Sequence, residues 1–151
     1  MKQSAGILLY RLQEQEPEIL LAHPGGPFWA KKELAAWSIP KGEPNEGEDL
    51  LLTAKREFTE ETGQIVDGAF IALTSLKQKS GKLIHVWALE GNMDVGLLTS
   101  NTFEMEWPPK SGKMQVFPEI DKVQWFTLKE AFGKIIPGQA GFITELREIL
   151  K

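Results

Sequence analysis

The chain has 151 residues, of which 42% are hydrophobic and 25% charged; this single-domain length and ordinary globular composition exclude disorder, collagen-like repeats and coiled coil. The lack of cysteine excludes disulfides, thiolate metal sites and a cysteine nucleophile. Seventeen Lys and Arg against twenty-one Asp and Glu give a net charge of −4, which argues against extended nucleic acid or an anionic membrane as a partner.

In chain order, residues 4–11 and 18–23 read as two strands joined by the polar stretch Gln13 to Pro17. Arg11 stops the apolar run Ile7-Leu8-Leu9-Tyr10 too early for a signal peptide or a spanning helix, so a cytoplasmic protein is expected. The turn His23-Pro24-Gly25-Gly26-Pro27 is too rich in Pro and Gly for regular structure, and Ala36 to Ile39 reads as a short third strand ended by Pro40. Glu48 to Thr62 reads as the first helix, with Asn45 as an N-cap paired with Glu48, Gly63 as the stop, and Leu51, Ala54, Phe58 and Thr62 as its buried face. Ala69 to Gln78 and Lys82 to Glu90 read as a hairpin turning at Ser80-Gly81, followed by strands at Phe103 to Trp107 and Val123 to Phe126. Thr127-Leu128-Lys129-Glu130 is a capping-box pattern that opens a short helix, and beyond Pro137-Gly138 a last helix carries Phe142, Leu146 and Ile149 on one side. No repeat or linker divides the chain, so one domain over residues 1–151 is expected, and strands with interspersed helices predict an α/β sandwich.

The charge is not spread evenly. Residues 43–61 hold seven acids (Glu43, Glu46, Glu48, Asp49, Glu57, Glu60, Glu61) and two bases (Lys55, Arg56), a local charge of −5, and the rest of the chain is +1. Glu57, Glu60 and Glu61 stand at i, i+3 and i+4 on one helical stripe, where like charges repel by a few tenths of a kcal/mol per pair, close to a C-terminus whose dipole also disfavours anions. A hard divalent cation, Mg2+ or Mn2+, would reverse the sign of that interaction.

Gly42, then Glu48 after five residues, then Arg56-Glu57-Phe58-Thr59-Glu60-Glu61-Thr62-Gly63 after seven more, resembles the Nudix box, G-x5-E-x7-R-E-U-x-E-E-x-G-U with U a bulky apolar residue. The one departure is Gln64 at the final apolar position, with Ile65 a residue late. The resemblance implies a Nudix-type α/β/α sandwich with a mixed sheet and a loop-helix-loop box. It also implies a Mg2+-dependent hydrolase, with Mn2+ as a substitute, that cleaves a nucleoside diphosphate linked to another moiety. By the same resemblance Glu57, Glu60 and Glu61 would bind the metal, Glu48 and Arg56 would hold the box together by an ion pair, and Gly42 and Gly63 would permit its sharp start and exit. Glu60 would orient or deprotonate the attacking water.

Beyond the box, family members often supply a further glutamate before a Trp-containing strand. Phe117-Pro118-Glu119-Ile120-Asp121 offers Glu119 for that place, as metal ligand or base, with Asp121 as the neighbouring alternative. Pro40-Lys41-Gly42 resembles the box opening of the dinucleoside polyphosphate branch, and Lys41 can meet a phosphate as a point charge. The Tyr or Pro that this branch often carries beyond the box is missing, with Lys79-Ser80-Gly81-Lys82 in its place. Trp29, Trp37, Phe103 and Trp107 are candidates for stacking on a base, and Lys110 and Lys113 follow Trp107 in a loop within reach of polyphosphate. A P-loop, a zinc motif and a Gly-x-Ser-x-Gly elbow are all absent.

The expected activity is therefore hydrolysis of a dinucleoside polyphosphate such as diadenosine tetraphosphate, by a monomer or homodimer acting on a small nucleotide. The alternatives are a house-cleaning pyrophosphatase for oxidised or noncanonical nucleoside triphosphates and, in a different class, a catalytically inactive nucleotide-binding regulatory module.

Overall fold

The computed structural model describes residues 2–14 and 16–151. Its centre is a mixed sheet in the order β4 (Ile71–Ala72), β6 (Leu83–Glu90), β1 (Gln3–Gln13), β2 (Glu16–Pro24) and β9 (Ile120–Thr127). β1 runs parallel to β6 and antiparallel to β2, β2 runs antiparallel to β9, and two short ladders are added, β3 (Lys41–Gly42) on β1 and β5 (Leu76–Lys77) on β6. The two central strands are buried on both faces, which is why they read as continuous apolar runs rather than alternating ones.

The period of two along β1 sends Ala5, Ile7 and Leu9 to one face and Leu8 and Tyr10 to the other. On the first face α1 (Leu50–Thr62) lays down Ala54 and Phe58, both fully buried. On the second, α2 (Leu128–Lys134) and α3 (Ala140–Ile149) deliver Ala131, Phe142, Ile143 and Leu146 onto Trp37, Phe126 and the sheet. Helix, sheet and helix make the expected α/β/α sandwich. Among the described residues no helix is long and apolar enough to cross a membrane.

Several elements depart from the sequence-based expectation. α1 begins at Leu50, and its cap is Asp49, whose Oδ2 accepts from the Leu51 and Leu52 amides, instead of Asn45. Glu48 does reach back to the Asn45 amide, but the Asn45–Glu48 stretch is a turn before the helix. Leu51 is only half-buried, and on α3 Ile143 takes the buried place expected for Ile149, which is 42% exposed. Residues 36–39 make isolated bridges, Ala22 with Ser38 and Trp37 with Ile135, and the ladder forms after Pro40, whose carbonyl still accepts from the Ile7 amide. The strand expected over residues 69–78 is split into β4 and β5. A hairpin of β7 (Thr102–Glu106) and β8 (Met114–Pro118) stands apart from the main sheet; the sequence pattern gave its first strand but not its second.

Candidate active site

Arg56 organises the box. Its Nε and Nη2 donate to the two oxygens of Glu48, each at 2.9 Å, in a bidentate pair. Nη1 donates to Glu57 at 2.8 Å and to Glu60 at 3.0 Å, and Nη2 also reaches the Glu43 carbonyl at 3.1 Å. Glu48 takes further hydrogen bonds from Thr53 Oγ1 and the Asn45 amide. Arg56 first, then Asn45, holds the Glu48 carboxyl down to about 2. The same contacts raise Arg56 above its ordinary value. The expected ion pair is thus present, and it extends further than expected because the same guanidinium also grips two of the three acids on the stripe.

Glu61, the third acid, faces Lys41 at the end of β3. Burial pushes its carboxyl up to about 8; the Glu57 and Glu119 charges push the same way, and the Lys41 charge and amide oppose them. Burial also lowers Lys41, helped by Lys82 and opposed by Glu61, Glu57 and Glu43. Glu57 is raised by burial and by repulsion from Glu60, against the pull of Arg56. Lys41 and Glu61 line one cleft, and the Glu57 and Glu119 charges act on the same carboxyl.

The two box glycines do different work. Gly63 ends α1 at φ 82°, a left-handed conformation in which its amide caps the Thr59 carbonyl, so the expected sharp exit is present. Gly42 has no left-handed backbone; a Cβ there would run into the Glu57 carboxylate. It is glycine so that the Glu57 side chain can lie against β3, not to permit a sharp start.

Among the described residues no three Asp, Glu, His or Cys side chains converge as a ready-made metal grip. The reason is visible in the Arg56 bonds, which turn Glu57 and Glu60 toward the guanidinium. The donor set itself, carboxylate oxygens with no thiolate or imidazole, fits a hard divalent cation.

Glu119 follows β8 directly. Its amide donates to the Asn101 carbonyl (2.8 Å), the Asn101 amide donates to the Glu60 carbonyl (3.0 Å), and its own carbonyl accepts from Gly25 (2.8 Å). It is therefore tied by backbone to the end of α1. Asp121 lies in another environment, with Oδ1 2.8 Å from Nδ1 of the buried His23, whose Nε2 meets the Lys32 carbonyl at 2.6 Å.

A cleft of about 210 Å³ opens beside Glu61 and Lys41, walled by Ala22, Pro24, Trp29, Ile120 and Ile136, with Ser38 as a polar group. Of the four aromatic candidates only Trp29 lines it. Trp37 is fully buried and packs edge-on to His23 and Phe126, so it belongs to the core. Phe103 lies against Phe117, and Trp107 against Phe28 at 5.4 Å between ring centroids. Reading the sequence did not find Ser38, which lines the cleft and is held by the buried Gln139, or Phe28, which lies outside the cleft, 60% exposed and packed on Trp107. The available signal for Phe28 was a pair of adjacent aromatics following a Pro/Gly turn, where no strand pattern calls for them.

An α/β/α sandwich with an acid-rich helix, clamped by one arginine and ending against a lysine on a short ladder beside the central strand, is the architecture of the Nudix pyrophosphohydrolases. The chain belongs to that family: the NUDIX domain model matches residues 1–146. Curated proteins give no match in sequence. Among solved structures the chain is similar to a C. elegans Ap4A hydrolase binary complex, at 21% identity and a TM-score of 0.65, over 99% of this chain and 98% of that one. It is also similar to the NUDIX domain of Shewanella oneidensis NrtR complexed with ADP ribose, at 18% identity and a TM-score of 0.65, over 99% and 88%. A mutT/nudix family protein from Listeria innocua gives 14% identity and a TM-score of 0.63, over 99% and 93%. At these identities the likeness is one of fold.

Proposed function

We propose that this chain, as a single domain acting in the cytoplasm, hydrolyses a dinucleoside polyphosphate such as diadenosine tetraphosphate with Mg2+. The observation that carries the reading is a cleft of about 210 Å³ lined by Lys41 and Glu61, next to the Glu57 and Glu60 carboxylates that Arg56 holds on the same helix. The Pro40-Lys41-Gly42 opening of the box favours this substrate class over a nucleoside triphosphate.

Glu57, Glu60, Glu61 and Glu119 would hold the cation, which supplies neutralisation of phosphate charge at the reacting phosphorus. The protein side chains do the rest. Lys41, next to the Gly42 that leaves room for the Glu57 side chain, meets a phosphate oxygen as a point charge. Glu60 or Glu119 accepts a proton from the attacking water. Arg56, held by Glu48, positions Glu57 and Glu60 and lessens their repulsion before substrate arrives. Trp29 offers its face to a base in the cleft.

A nucleotide panel with Mg2+ or Mn2+ and identified products tests the reading. The tetraphosphate enzyme yields a nucleoside triphosphate plus a monophosphate. A mononucleotide plus pyrophosphate from triphosphates alone would overturn the substrate class in favour of a house-cleaning enzyme.

A further inference from the structure

The β7–β8 hairpin takes no part in either core cluster, yet it springs from the catalytic edge. Its roots are fastened to the end of α1 by the Thr99 amide on the Thr62 carbonyl and the Asn101 amide on the Glu60 carbonyl, both at 3.0 Å. From there five-residue strands carry its tip about 16 Å outward. Alternation places Phe103, Met105 and Trp107, all half-buried, on one face of β7, and leaves Met114 and Val116 exposed on the other face of the arm.

The inward face meets the loop after β2. Phe28 packs edge-on to Trp107, and its neighbour Trp29 lines the cleft with Lys41 and Glu61. An aromatic line, Trp29, Phe28, Trp107, thus leads from the carboxylates to the tip. The tip is held in shape: the Glu106 carboxylate accepts from the Lys110 amide (2.7 Å) and the Gly112 amide (3.2 Å), and Ser111 Oγ accepts from the Lys113 amide. That ordered turn presents Lys110 and Lys113, and among the described residues neither forms an ion pair. The exposed Phe28 ring on the half-buried Trp107, with the unpaired ammonium groups of Lys110 and Lys113 on the same hairpin, suits a ligand end that is both flat and anionic.

We infer that the arm and the Phe28 loop form a second subsite that holds the far nucleotide of the substrate, the one not seated in the cleft beside Glu61. The inference rests on the proposed hydrolysis of dinucleoside polyphosphates and adds the residues that select them over shorter nucleotides. Phe28 and Trp107 take the second base, and Lys110 and Lys113 screen the phosphate next to it.

The test compares Phe28→Ala, Phe28→Tyr and the double variant Lys110→Ala/Lys113→Ala on two substrates, a dinucleoside tetraphosphate and the nucleoside tetraphosphate that lacks the second nucleoside. Phe28→Ala is expected to raise KM for the dinucleotide about tenfold, as for loss of one stacked base, with the mononucleotide unaffected. The tyrosine variant should keep the ring and restore KM, and the double lysine variant should raise KM for the dinucleotide more at low salt than at high salt. Equal effects on both substrates, or none on either, would overturn the second subsite. Because Phe28 is exposed and outside both cores, its truncation leaves the fold in place. A methylene-bridged dinucleoside tetraphosphate, which cannot be cleaved, separates this inference from the hydrolysis itself. Wild type that binds the analogue better than Phe28→Ala does, but leaves the ordinary dinucleoside tetraphosphate intact with Mg2+, would refute the activity and keep the subsite.

Discussion

Glu48, eight residues before Arg56, and Glu61, five residues after it, behave in opposite ways, and the difference is what each one faces. Glu61 faces burial, Glu57 and Glu119; with its carboxyl raised to about 8, it is neutral in the cation-free protein at pH 7. A carboxyl raised on folding stabilises most below its unfolded value of 4.5, and that contribution is lost as pH rises toward 8. Cation-free protein should therefore lose melting temperature between pH 5 and 8, Glu61→Gln should remove that slope, and cation binding at pH 7 should release a proton measurable by calorimetry in two buffers. Glu48 faces Arg56 and sits at about 2. Its stabilisation is complete above 4.5 and disappears as pH falls toward 2, so Glu48→Gln should flatten the acid limb of an unfolding profile that the wild type shows. Glu60→Gln, by contrast, should leave the melting curve nearly unchanged and lower turnover at least about 100-fold.

At the scale of elements, α1 is positioned by its ends as much as by its core. Loss of the Asp49 cap in Asp49→Ala should cost about 1 kcal/mol in denaturant unfolding. Gly63→Ala should cost about 1–2 kcal/mol, because alanine resists the left-handed conformation and its Cβ would come within 2.8 Å of Thr99 Cβ. The helix was legible because Ala54, Phe58 and Thr62 recur at its period, and the acids were legible because chemistry holds them at set intervals. The cap was not, because Asn45 and Glu48 satisfy the same local pattern as a cap and its partner, and only the three-dimensional pairing of Glu48 with Arg56 shows that this stretch precedes the helix. β8 escaped for another reason: it buries no residue, half-covers only Phe117, and leaves Met114 and Val116 in solvent, so it lacks the buried alternation by which strands are read. The roles of Gly42 and Phe28 depend on contacts across the fold, with Glu57 and Trp107, which no spacing in the chain encodes.

For the whole molecule, the net charge of −4 has a location and a use. The sandwich gathers −5 on one loop and helix, while the remainder, nearly neutral, contributes Lys41 and Lys82 beside those acids and Lys110 and Lys113 on the β7–β8 arm. An acidic centre beside Lys41 and Lys82 admits a small polyanion in company with a cation, and the net negative charge disfavours extended nucleic acid. The most direct measurement is incubation of the pure protein with diadenosine tetraphosphate and Mg2+, followed by separation of the products. The account predicts ATP and AMP in equal amounts from the wild type, no more than about one-hundredth of that rate from Glu60→Gln, and no turnover in excess chelator. A folded wild type that binds the tetraphosphate and leaves it, and every other nucleotide tried with Mg2+ or Mn2+, intact would contradict it.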